Sequence, residues 1–75
     1  MEIEARLRKL ESLYRSALSA AVTSKARYLA LDAEAGATPT AIARARAEWH
    51  VLERRKRALA REMGELEKLE HESAT

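Results

Sequence analysis

The feature that most constrains this chain is the segment Gly36-Ala37-Thr38-Pro39-Thr40, the one strong interruption in a helix-favouring sequence. Glycine suits the left-handed position just after a helix, so Gly36 predicts that a first helix ends near Ala35. Thr38 followed by Pro39 is typical of an N-cap with proline at the first helical position. The pattern predicts one domain over residues 1–75, with helices at 2–35 and 39–72, a turn at 36–38 and a frayed C-terminus at 73–75.

Composition agrees with an all-α fold. Ala, Glu, Lys, Leu and Arg make up 51 of the 75 residues, a proportion typical of coiled coils and long helices. Because the predicted connection is short, the two helices must lie side by side and antiparallel, as a coiled-coil-like hairpin. The chain has no cysteine for disulfides or thiolate metal sites. No apolar run is long enough to span a membrane, and the acidic N-terminus is unlike a secretory signal, so we expect a cytoplasmic protein with no membrane partner.

Apolar side chains recur at steps of three and four residues in both predicted helices, which predicts a seam between them. If the chain folds back at Gly36, the residue numbers of facing seam positions add up to 73, so that Ala21 faces Leu52 and Ser24 faces Trp49. Large residues then often face small ones, which favours close packing. Residues 17, 24 and 45 share this seam, and its main predicted core residues are Leu7, Leu10, Tyr14, Ala21, Tyr28, Leu31, Ile42, Trp49, Leu52, Leu59, Met63 and Leu66.

Two charged residues fall on the predicted seam. Lys56 would face Ala17, where either its stem covers the alanine while the ammonium reaches solvent, or the lysine sets the register or oligomeric state. Glu70 would face Ile3 where the ends of the hairpin fray.

A second group of apolar residues lies beside the seam of the first helix. Leu18, Val22 and Leu29, with Lys25 in the gap between them, form what we call the lateral stripe, and Leu13 extends the apolar surface on the other flank. An apolar face this wide indicates a helix with more than one neighbour. We therefore expect a homodimer that forms a four-helix bundle. The alternatives are scattered surface residues, or a stripe that receives a helix of a different protein.

The second helix carries an arginine face, formed by Arg54, Arg57 and Arg61 at helical spacing. Such a row could contact the phosphates of RNA or DNA. The alternative is a solvated face that keeps the protein soluble. The net charge of +2, the acidic segment that follows and the absence of interleaved aromatics favour the solvated face.

No sequence motif indicates chemistry. There is no phosphate-binding glycine loop, metal-ligand spacing or nucleophile with an adjacent base, so we expect no catalytic site, cofactor, metal or small-molecule substrate. The sequence therefore predicts a small interaction or regulatory protein that binds a protein partner as a homodimer. A nucleic-acid-binding bundle and a structural or assembly component are the alternatives. In architecture alone the predicted dimer is similar to the Rop-type plasmid regulators, which are dimeric helical hairpins that bind RNA; no residue motif links the two.

Overall fold

Two long helices form a hairpin in the computed structural model, which describes residues 2–74. Helix α1 spans Glu2–Ala33 and helix α2 spans Pro39–Ala74, and the two pack against each other. The molecule is a rod of 59 × 15 × 13 Å. The predicted all-α hairpin is therefore confirmed. Helix α2 continues two residues beyond the predicted end at 72, and Thr75 lies outside the described residues.

The turn differs from its prediction in conformation. Helix α1 ends at Ala33 rather than Ala35 because the Glu34 N–H donates to the Leu31 carbonyl, three residues back, at 3.1 Å. The Ala37 N–H then donates to the Glu34 carbonyl at 3.2 Å. No glycine has a positive φ, so the left-handed conformation predicted for Gly36 is wrong. These two bonds to carbonyls three residues back close the turn without a left-handed residue, and Ala35 is exposed.

The start of α2 is fixed by Thr38. Its hydroxyl accepts a hydrogen bond from the Ala41 N–H at 3.1 Å, and its carbonyl accepts the first intrahelical bond, from Ile42, at 3.1 Å. Pro39 occupies the first helical position, where its missing N–H leaves no bond unmade. The predicted N-cap is confirmed.

We expect Thr38→Ala to lower the free energy of unfolding by about 1 kcal/mol, because the Ala41 N–H loses its partner. Urea denaturation followed by circular dichroism measures the change. Thr40→Ala is the matched control, since Thr40 is exposed inside the first turn and its hydroxyl makes no hydrogen bond among residues 2–74. Equal effects of the two substitutions would contradict a capping role for Thr38.

The core between the helices is thin. Its buried members are Ala17, Ala21, Ser24, Ala45 and Leu66, and Leu66 is the one large side chain among them. The other large seam residues, Trp49 included, are half-buried, and Glu70 is exposed. No large side chain in the described part of the chain is fully enclosed. The two helices therefore meet through small residues and shield their larger apolar neighbours only in part.

Candidate partner-binding surface

The lateral stripe remains uncovered in the hairpin. Leu18 is 38% exposed, Leu29 51% and Val22 61%. Steps of four and seven residues place the three side chains on one side of α1, with Lys25 between Val22 and Leu29. Exposed apolar side chains grouped in this way are typical of surfaces that bind another protein.

An aromatic group borders the lateral stripe on the α2 side. The Lys25 ammonium lies 5.5 Å from the centre of the Trp49 ring, in a cation–π contact between the helices. The Trp49 ring stacks on Tyr28, with ring centres 5.7 Å apart, and on its neighbour His50, at 4.8 Å. The sum of 73 places Tyr28 opposite Ala45, and in the structure the Tyr28 ring also contacts Trp49, one turn further along α2. The lysine in the middle of the stripe is drawn toward α2 by this contact.

The structure does not bring Leu13 together with the lateral stripe. Five residues of helical rotation separate Leu13 from Leu18, which places them about 140° apart around α1. Leu13 instead lines a shallow depression with Leu52 and Arg55 of α2. On this flank Arg27 pairs with Glu48 at 4.0 Å, and both side chains are more than half exposed.

Sequence reasoning missed two exposed apolar residues, Val51 and Leu69. Each lines a depression separate from that of Leu13: Val51 lies with Arg44 and Leu52, and Leu69 lies with other residues near the open end of the hairpin. The sequence signal that could have found them is that both apolar residues lie off the predicted seam. Each stands alone, whereas the members of the lateral stripe share one side of α1.

Lys56, one of the two charged residues on the predicted seam, forms an ion pair. Its ammonium donates a hydrogen bond to Glu53 Oε1 at 3.1 Å, and Arg57 Nε lies 3.8 Å from Glu53 Oε2. The pKa of the Glu53 carboxyl is below its ordinary value of 4.5, chiefly because of the Lys56 hydrogen bond; burial opposes this, and the charges of Lys56 and Arg57 add to it. The buried Trp49 Nε1 has no partner within hydrogen-bond distance among the described residues. Its N–H is nevertheless the smallest of the influences that lower the pKa of Glu53.

The lowered pKa of Glu53 predicts an acid-sensitive contribution to stability. It is present above pH 4.5, where the unfolded-state carboxyl is also ionised, and it is lost as the pH falls through the lower folded-state pKa. We expect Glu53→Gln to flatten the fall in stability below about pH 5. Urea denaturation at a series of pH values measures this. Glu48→Gln, at the more exposed pair with Arg27, is the control, and an equal flattening there would contradict a special role for Glu53.

The arginine face points away from the seam. Arg54, Arg57 and Arg61 are all exposed, and Arg57 is the member that pairs with Glu53. Within residues 2–74, Arg54 and Arg61 have no carboxylate within 4.0 Å. Two of the three guanidinium groups are therefore available to anions from solvent.

The described residues offer neither a metal-ligand cluster nor a membrane-spanning segment. No three or more His, Asp or Glu side chains there lie together as a set of metal ligands. Neither helix has, over those residues, a segment apolar and long enough to cross a lipid bilayer. Comparison of the chain with protein-family models, curated proteins and solved structures gave no match.

Proposed function

We propose that this protein is a small, non-catalytic, cytoplasmic interaction or regulatory protein that acts as a homodimeric helical bundle and binds a protein partner. The observation that carries the proposal is the thin core: buried contacts between the helices are made mainly by alanine and serine. A chain of 75 residues without cysteine for disulfides can gain the missing burial by oligomerisation.

The exposed area supports the same proposal. The chain exposes 5822 Å². A compact monomer of 8.4 kDa is expected to expose about 4600 Å². The radius of gyration of the hairpin, 17.0 Å, also exceeds the value of about 11 Å expected for a compact domain of this length. The difference in area is larger than the roughly 800 Å² that each partner contributes to a standard interface.

The lateral stripe is the part of this surface best suited to self-association. Leu18, Val22 and Leu29 are apolar, exposed and on one side of α1, and burying them removes apolar area from water. With the stripe covered, the outer surface of α2 still displays Arg54 and Arg61. Those charges favour an acidic segment as the protein partner.

Sedimentation equilibrium tests the homodimer directly. We expect a mass of about twice 8.4 kDa at micromolar concentrations, and a melting temperature that rises with concentration. A monomer over the same concentration range would overturn the proposal.

The alternative is a bundle that binds RNA or DNA through the arginine face. The observation that favours it is that Arg54 and Arg61 are exposed and lack ion pairs in the described part of the chain. Binding to generic RNA or duplex DNA would then weaken steeply with added salt, because each phosphate contact releases counterions. Absence of binding at low salt, or affinity unchanged in Arg54→Ala plus Arg61→Ala, would remove this alternative.

A further inference from the structure

The lateral stripe continues in both directions as a row with charged ends. The same alternation of three- and four-residue steps extends it to one cation and one anion, and all six positions are exposed: Arg15, Leu18, Val22, Lys25, Leu29 and Asp32. The row is about 26 Å long. It is positive at its first residue, apolar through most of its middle and negative at its last.

The charges at the two ends are not used within the hairpin. Among residues 2–74, neither Arg15 nor Asp32 has an ion pair within 4.0 Å. Glu11, which precedes Arg15 by one turn, does not pair with it. Arg46 lines the same depression as Asp32 but lies beyond ion-pair distance. Both end charges are therefore free to meet a partner.

The third charge is turned away from the middle of the row. The Lys25 ammonium is engaged by the Trp49 ring at 5.5 Å, on the side of α2. Its methylene groups remain between Val22 and Leu29 on α1. A lysine held in this way contributes apolar stem to a contact surface while its charge stays at the edge.

We propose that the stripe is covered by α1 of a second copy of this chain, running antiparallel, with facing residue numbers that add up to 47. Leu18 then meets Leu29 of the second copy, Val22 meets Lys25 of the second copy, and Arg15 meets Asp32 of the second copy. The two-fold axis repeats each pair, so the dimer has two such ion pairs. This arrangement rests on the proposed homodimer and specifies its partner surface, direction and register.

Charge complementarity selects this arrangement over its neighbours. A parallel pair places Arg15, Lys25 and Asp32 each against its own copy, so every charged contact is repulsive. An antiparallel pair shifted by one step of the row leaves the end charges without opposite partners: in one direction Arg15 meets Leu29, and in the other Asp32 meets Leu18 and the two Lys25 side chains meet each other. The register that sums to 47 places the leucines together and the opposite end charges together, which is how charges fix register across helices.

A charge-swap experiment tests the direction and register. We expect Arg15→Asp alone, or Asp32→Arg alone, to weaken the homodimer about tenfold, because both end pairs become repulsive. Mixing the two variants pairs Asp with Arg at both ends, so a heterodimer of near wild-type affinity forms. Sedimentation equilibrium measures the masses, and circular dichroism of each variant checks that the helices remain. Wild-type affinity in each single variant, or no heterodimer on mixing, overturns the register and leaves the homodimer itself standing; a monomeric wild-type protein overturns both.

Cross-linking supplies a second measurement. The chain has no native cysteine, so Leu18→Cys and Leu29→Cys introduce single thiols. In a mixture of the two variants, a short bis-maleimide is expected to join residue 18 to residue 29. Two copies of residue 18 would be about 16 Å apart along the helices. Preferential 18–18 or 29–29 products would overturn the proposed register.

Discussion

Replacing Leu18 and Val22 together with glutamate is expected to abolish self-association at micromolar concentration. Dimerisation would bury four carboxylates in an apolar contact, two of them against Leu29 and two against the stem of Lys25, whose ammonium is engaged by Trp49. This should raise the dissociation constant at least about 100-fold. Both side chains are exposed in the hairpin, so the two helices should remain folded. Sedimentation equilibrium gives the dissociation constant, and far-ultraviolet circular dichroism gives the helix content.

The matched control for this variant is Leu13→Glu plus Leu69→Glu. It makes the same kind and number of changes at exposed leucines outside the lateral stripe. We expect this control to associate as the wild-type protein does. If the control dissociates while the Leu18 and Val22 variant does not, the interface includes Leu13 or Leu69 instead of the lateral stripe.

Enlarging Ala21 to leucine is expected to give the largest loss of stability within the hairpin. Ala21 is 1% exposed and lies where α1 and α2 meet through small side chains. Three additional carbon atoms force the helices apart or into strained rotamers, at a cost of about 1–3 kcal/mol in the free energy of unfolding. Urea denaturation at one fixed protein concentration measures the change.

Ala26→Leu provides the comparison. Ala26 belongs to the same helix but is exposed, so the same enlargement meets no neighbour and should change stability by less than about 0.5 kcal/mol. Equal losses at the two positions would show that close approach of the helices at Ala21 does not limit side-chain size.

Local signals in the sequence predicted the hairpin and the start of α2. Thr38 and Pro39 act through bonds within one turn, so their residue types are enough to locate the N-cap. The end of α1 was less predictable. The helix ends with a bond from the Glu34 N–H to the Leu31 carbonyl instead of a left-handed glycine, and residue types alone do not decide between these two endings.

The candidate surface was predictable in its apolar members and not in its charged contacts. Helical spacing placed Leu18, Val22 and Leu29 in a row, because rotation per residue is nearly constant. It could not show that Lys25 reaches across to Trp49, since that contact depends on the distance between two helices. A long side chain can also reach several different partners. Lys56, for example, pairs with Glu53 rather than extending into solvent.

The elongated shape of the hairpin has a hydrodynamic consequence. A body 59 Å long and 15 Å wide is about four times as long as it is wide, so it experiences more friction in solution than a sphere of equal mass. A single chain will therefore elute early from a size-exclusion column, near the position of a globular protein of greater mass. Elution volume alone therefore does not distinguish a single elongated chain from a dimer. Light scattering or sedimentation equilibrium gives the number of chains, because neither measurement depends on shape in this way.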